Sequence, residues 1–60
     1  MIAKFNYGDP EPPHTMLLID RHDDIWFYSD EESAWTAHET AAFVWHDLKR
    51  SWFPMREWTP

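Results

Sequence analysis

The sequence predicts a small α+β domain: a short antiparallel β-sheet of two or three strands, packed by one long C-terminal amphipathic helix, in β-β-β-α order. Three observations lead there. Residues 29–53 contain no Gly or Pro and carry apolar residues at helical spacing. Two apolar runs of strand length, 15–20 and 25–28, flank a turn-forming tetrapeptide. Sixty residues without cysteine make one domain with no disulfide to staple it. The expected layout is strand 2–7, Pro-rich loop 8–14, hairpin 15–28, helix 30–52 and aromatic tail 53–60.

The N-terminal segment alternates loosely. Ala3, Phe5 and Tyr7 fall on one side, and Ile2, Lys4 and Asn6 on the other. Lys4 marks this as an edge strand. Gly8-Asp9-Pro10-Glu11-Pro12-Pro13 excludes helix and central strand, so it reads as a stiff connection. In the hairpin, Arg21-His22-Asp23-Asp24 forms the loop. Its strands are apolar on both faces: Leu17, Ile19, Ile25 and Phe27 on one, Met16, Leu18, Trp26 and Tyr28 on the other. One helix covers one face. The surplus face must be covered by the tails, a second copy or a partner.

The helix reading rests on its ends and its stripe. Ser29-Asp30-Glu31-Glu32 has the form of a capping box, with three carboxylates in the first turn. Lys49 and Arg50 suit the last turn, and Pro54 forbids continuation. Ala34, Ala37, Ala41, Val44, Trp45, Leu48 and Trp52 share one stripe at about 100° per residue. Phe43 points away from that stripe and Trp35 lies on its flank. Two aromatics on the non-core side of a helix suggest a binding surface. The tail is too rich in aromatics to be disordered, so Trp52 and Trp58 are expected to fold back onto the sheet.

The charge excludes several classes. Eleven acids against five bases give −6. Such a chain is repelled by nucleic-acid phosphates and by acidic membrane surfaces, so neither direct nucleic-acid binding nor membrane binding is expected. No apolar run is long enough to span a bilayer, and the start of the chain lacks the apolar core of a signal peptide. The absence of cysteine fits a reducing setting, and the cytoplasm is the expected location. No cofactor is expected.

Catalytic and metal patterns fail on inspection. His38-Glu39 begins an H-E-x-x-H pattern, but position 42 is Ala. His38 and His46 lie two helical turns apart and cannot share a metal unaided. His22, Asp23 and Asp24 make a poor cage for a hard cation. The His-Asp pairs at 22–23 and 46–47 lack the larger helical domain of a phosphohydrolase. Ser29, His38 and Asp30 have no nucleophile elbow or oxyanion loop around them. The chain is therefore expected not to be an enzyme.

What remains is binding. Asp20, Asp23, Asp24, Asp30, Glu31 and Glu32 are six of the eleven acids, within thirteen residues. A last strand between the hairpin loop and the helix start separates two acidic clusters by about 13–20 Å. The returning helix brings Lys49 and Arg50 toward Asp23 and Asp24. The partner-binding residues expected are Asp23, Asp24, Asp30, Glu31, Glu32, Trp35, Glu39 and Phe43, facing a protein with a basic surface. In size, charge and composition the chain resembles the accessory proteins of bacteriophages and mobile elements, although no motif carries the likeness. That resemblance implies an inhibitor of host nucleic-acid machinery, of anti-CRISPR or DNA-mimic type. The alternative is a structural or regulatory homodimer, antitoxin-like or an assembly subunit, joined through the surplus sheet face.

Overall fold

A computed structural model describes residues 2–38 and 40–60. The chain folds as five short strands: β1 (Lys4–Phe5), β2 (Leu18–Ile19), β3 (Ile25–Ser29), β4 (Ala34–Ala37) and β5 (Met55–Glu57). They form one sheet in the order β1-β5-β2-β3-β4, and every pairing is antiparallel. Among the described residues there is no long helix. Two single 3₁₀ turns, Trp45–Asp47 and Arg50–Trp52, are the only helical pieces among the described residues. The expected α+β class, with its β-β-β-α order and helix over 30–52, is overturned.

The reason lies in what each arrangement buries. As a helix, 30–52 leaves Trp35 and Phe43 off its core stripe. As sheet, Trp35 pairs with Tyr28 across β3 and β4 and is fully buried. Phe43 then returns beside β4, and its N–H and carbonyl exchange 2.8 Å hydrogen bonds with those of Trp35. Burying one large aromatic stabilises by about 1.5–3 kcal/mol, which outweighs a helix propensity of a few tenths per residue. The apparent capping box is the β3–β4 turn instead. Residues 30–33 link Ser29 to its partner Ala34, with Ser33 in the left-handed region at φ 52°. Asp and Ser favour turns for the same reason that they favour caps: short polar side chains bond nearby backbone.

The C-terminal segment supplies a central strand, not a covering tail. β5 lies between β1 and β2, with Phe5 opposite Met55 and Ile19 opposite Arg56. Beyond it, the Trp58 N–H donates to the Leu17 carbonyl at 2.8 Å.

Directly paired residues share a sheet face. The inner face carries Phe5, Met55, Leu18, Trp26, Ala37, Tyr28 and Trp35. Against it lie Trp45, Leu48 and Phe53 from the 3₁₀ segment, completing the core. Ring contacts run through this layer: Trp35 to Trp45 at 6.0 Å, Trp45 to Phe53 at 5.6 Å and Trp26 to Trp52 at 4.8 Å. The Pro-rich connection is strapped over the same layer by two indoles. Trp45 Nε1 donates to the Asp9 carbonyl at 2.7 Å, and Trp35 Nε1 donates to Glu11 Oε2 at 2.8 Å. The outer face is left with Ile19, Ile25 and Phe27, of which Ile25 and Phe27 are exposed.

Candidate functional site

The carboxylates divide into two sets. The first holds the fold together. Asp20 is 1% exposed and closes the β2–β3 turn. Its Oδ1 accepts from the backbone N–H groups of His22 (2.7 Å) and Asp24 (3.1 Å), and its Oδ2 accepts from Trp26 Nε1 (2.8 Å). Three donors satisfy a buried carboxylate that would otherwise be costly. Glu11 accepts from the Trp35 indole and from His14 Nε2 at 3.2 Å, while the His14 ring stacks on Tyr28 at 3.5 Å. Asp9 Oδ2 accepts from the Asn6 N–H at 2.7 Å. The sequence reading assigns no structural role to Asp20 or Glu11. The available signal for Asp20 is an Asp at the junction of an apolar strand and a turn, where it can bond the backbone two residues on.

The second set faces water. Asp23 and Asp24 in the first turn are exposed, and so are Asp30, Glu31 and Glu32 in the second. The two turns sit at opposite ends of β3, whose five residues span about 16 Å. Among the described residues the only ion pair is Glu11–His14. Lys49 and Arg50, expected to neutralise Asp23 and Asp24, form no ion pair with them. Lys49 Nζ lies 5.7 Å from the Trp52 ring, and the Arg50 guanidinium lies 4.7 Å from the Tyr7 ring. With no helix to carry them back along the strand, both cations lie on aromatic faces instead. Among the described residues, the exposed carboxylates of both turns thus carry no ion pair.

Neither aromatic member of the expected site is fully exposed. Trp35 is fully buried, so it is not a surface anchor. Phe43 is half-buried and packs edge-on against Trp52 at 5.1 Å. Both misfit a helical stripe, and the misfit fits extended chain: Trp35 lies in β4 and Phe43 bridges to it. Glu39 lies outside the described residues.

A second surface emerges on the outer sheet face. Lys4, Arg56, Ile19 and Ile25 form one row across β1, β5, β2 and β3, with Phe27 beside its β3 end. Lys4 stands directly opposite Arg56. Like charges in that position are destabilising, so this pairing serves no stability role evident in the fold. The face thus has a basic end and an apolar end.

Among the described residues, no group of three or more His, Asp or Glu side chains is placed to hold a metal ion. No helix there is long and apolar enough to cross a membrane. Compared with protein-family models, with curated proteins and with solved structures, the chain matches none.

Proposed function

We propose that this chain is a small binding module that works by occupying a protein with a basic surface, without catalysis. The observation that carries the reading is the pair of acidic turns. Five exposed carboxylates project from the two ends of β3, with no ion pair among the described residues to neutralise them. The sheet fixes the two clusters relative to one another, so little ordering entropy is lost on binding. A fixed negative surface attracts a basic partner and selects its orientation, with the force screened beyond about 8–10 Å. A nucleic-acid-binding cleft has the complementary potential. In that finer form the chain is an inhibitor of host nucleic-acid machinery, as carried by phages and mobile elements, of anti-CRISPR or DNA-mimic type. Affinity capture from a bacterial lysate tests it, with wild type and the Asp30→Lys/Glu31→Lys/Glu32→Lys variant side by side. The wild type should retain a partner that elutes as salt rises, and the reversed variant should lose it. Equal capture by both proteins sinks the proposal.

A second reading is favoured by the outer face. Ile25 and Phe27 are 38% and 46% exposed beside the half-buried Ile19. A second copy stacked there in a two-fold arrangement covers this patch. It also allows the Lys4–Arg56 end of one copy to meet the acidic turn of the other. Light scattering across a concentration series separates the readings. A dimer that Phe27→Lys dissolves supports homodimerisation, and a monomer at all concentrations removes it.

A further inference from the structure

The sheet has two edge strands, β1 and β4, and their outer edges differ. That of β4 is closed. Trp35 exchanges two 2.8 Å backbone bonds with Phe43, and the Ala37 carbonyl accepts from the Thr40 N–H at 3.1 Å. That of β1 is open at one residue. The Glu57 N–H donates to the Ala3 carbonyl at 2.8 Å, which makes Ala3 and Glu57 a bonded pair. Bonded and non-bonded pairs alternate along an antiparallel ladder, so Lys4 and Arg56 are a non-bonded pair. The Lys4 N–H and carbonyl therefore point away from β5, off the edge of the sheet. Two residues further on, the edge is closed again. The Asn6 N–H donates to Asp9 Oδ2 at 2.7 Å, and the Asn6 carbonyl accepts from the Asp9 N–H at 3.0 Å. The side chains give this short gap a sign. Lys4 and Arg56 stand opposite one another on the outer face and, with Pro54 and Met55, line a cleft of about 230 Å³. Neither joins an ion pair among the described residues.

We propose that β1 takes up an extended acidic segment of another protein as a sixth strand. An open edge offers main-chain bonds to any strand, and side chains at alternate positions decide which strand is accepted. A guest residue opposite Lys4 exchanges both free backbone bonds with it and projects on the same face, beside Lys4 and toward Arg56. A carboxylate there meets two cations that the fold leaves unpaired, and it relieves their mutual repulsion. The guest residues on either side project on the inner face, next to the half-buried Ala3 and Phe5, where apolar side chains extend the core. The fitting segment therefore alternates apolar, acidic, apolar. A second copy of this chain is the wrong guest. Pairing β1 with β1 sets Lys4 and Arg56 of one copy beside those of the other, and four cations side by side repel. Lys4 thus excludes self-pairing while it admits an acidic strand. The edge is three strand spacings from β3, about 14 Å, and of opposite charge to the acidic turns, so it stands whether or not those turns bind a protein.

The test is an NMR titration of the full chain with the peptide acetyl-Thr-Val-Glu-Val-Thr-amide, following the Lys4 amide. Saturable shifts in the millimolar range are expected, and exchange of the Lys4 N–H with water should slow as the peptide saturates. The same peptide with Lys in place of Glu should bind about tenfold more weakly, because a favourable cross-strand pair becomes a repulsive one. The Glu peptide methylated on the Glu backbone nitrogen keeps the charge but loses the donor to the Lys4 carbonyl, and it should not bind. Lys4→Glu should reverse the preference, so that the Lys peptide binds the more tightly; Lys4 is exposed, so the fold should tolerate the change. No saturable shift with the Glu peptide overturns the proposal. So does equal binding of the methylated peptide, which would mean charge attraction without strand pairing. An unreversed preference in the Lys4→Glu protein overturns it as well, since the acid would then be read elsewhere.

Discussion

The turns 20–24 and 30–33 close the two ends of β3, and both are rich in carboxylates. In the first, Asp20 is buried and bonded three times, Arg21 donates its N–H to the Trp52 carbonyl at 3.2 Å, and His22 Nε2 donates to the Ser51 carbonyl at 3.1 Å. That turn fastens the hairpin to the 3₁₀ segment. In the second, Asp30, Glu31, Glu32 and Ser33 are all exposed, and the β3–β4 ladder below holds the loop. Similar composition therefore serves two ends. A carboxylate facing inward is consumed by indole and backbone donors and becomes structure. A carboxylate facing outward keeps its charge for another molecule.

Breaking the first turn should have the largest effect. Asp20→Ala leaves the buried Trp26 indole without an acceptor, at about 1–3 kcal/mol, and removes two further hydrogen bonds to turn N–H groups, at about 0.5–1.5 kcal/mol each. The whole domain is expected to be stable by only about 3–9 kcal/mol. The variant should lose its cooperative unfolding transition by tryptophan fluorescence in urea. Asp20→Asn should fall between the two, because one of its two acceptor positions becomes an NH₂ donor. A loss under about 1 kcal/mol for Asp20→Ala would erase the distinction between the turns.

Glu11 extends the comparison beyond the turns. It is exposed, yet it accepts from the buried Trp35 indole. Glu11→Ala should cost about 1–2 kcal/mol, less than Asp20→Ala, because water can reach part of the vacated site. His22→Ala should cost about 0.5–1 kcal/mol, since its ring is exposed and makes one hydrogen bond to a carbonyl. Urea midpoints rank all three.

The unequal legibility of these elements has a physical cause. The division of the hairpin into Leu18, Trp26 and Tyr28 on one face and Ile19, Ile25 and Phe27 on the other is readable, because a strand alternates with period two. Which face is wet is not readable, because both are apolar. The stretch 29–53 misleads because its signals are degenerate. Ser29 through Glu32 suit a cap or a turn, and Ala37, Trp45, Leu48 and Trp52 keep a helical spacing while meeting the core from a strand and the 3₁₀ segment. Trp35 and Phe43 are the residues that discriminate, since a helix leaves both off its core stripe while the sheet buries Trp35 and half-buries Phe43. The acidic turns are legible as surface because Asp and Glu are seldom buried without partners. Asp20 is the buried exception and Glu11 an exposed one that still bonds a buried ring; their indole donors lie six and twenty-four residues away, beyond the reach of local pattern.

Charge reversal in the second turn should separate stability from binding. Asp30→Lys/Glu31→Lys/Glu32→Lys changes three exposed residues and brings the formal charge from −6 to zero. Its urea midpoint should correspond to a change within about 0.5 kcal/mol, as for surface positions generally. Capture of a basic partner should nonetheless disappear. A large destabilisation would show that this turn, like the first, is fastened by its carboxylates.

The smallest effect is the sharpest comparison, because each turn holds one non-glycine residue in the left-handed region: Asp23 at φ 68° and Ser33 at φ 52°. Asp tolerates that region by bonding its own backbone, and Ser does so less well. Replacing either with Gly removes the steric cost of about 1–2 kcal/mol but adds about 0.5–1 kcal/mol of unfolded-chain entropy. Ser33→Gly should therefore stabilise by a few tenths of a kcal/mol or more, and Asp23→Gly by less. Paired urea melts measure the difference. If Ser33→Gly destabilises instead, the Ser33 side chain holds the second turn by a contact of its own. The turn would then be built for shape as much as for charge, and the contrast with the turn at Asp20 would narrow to one of degree.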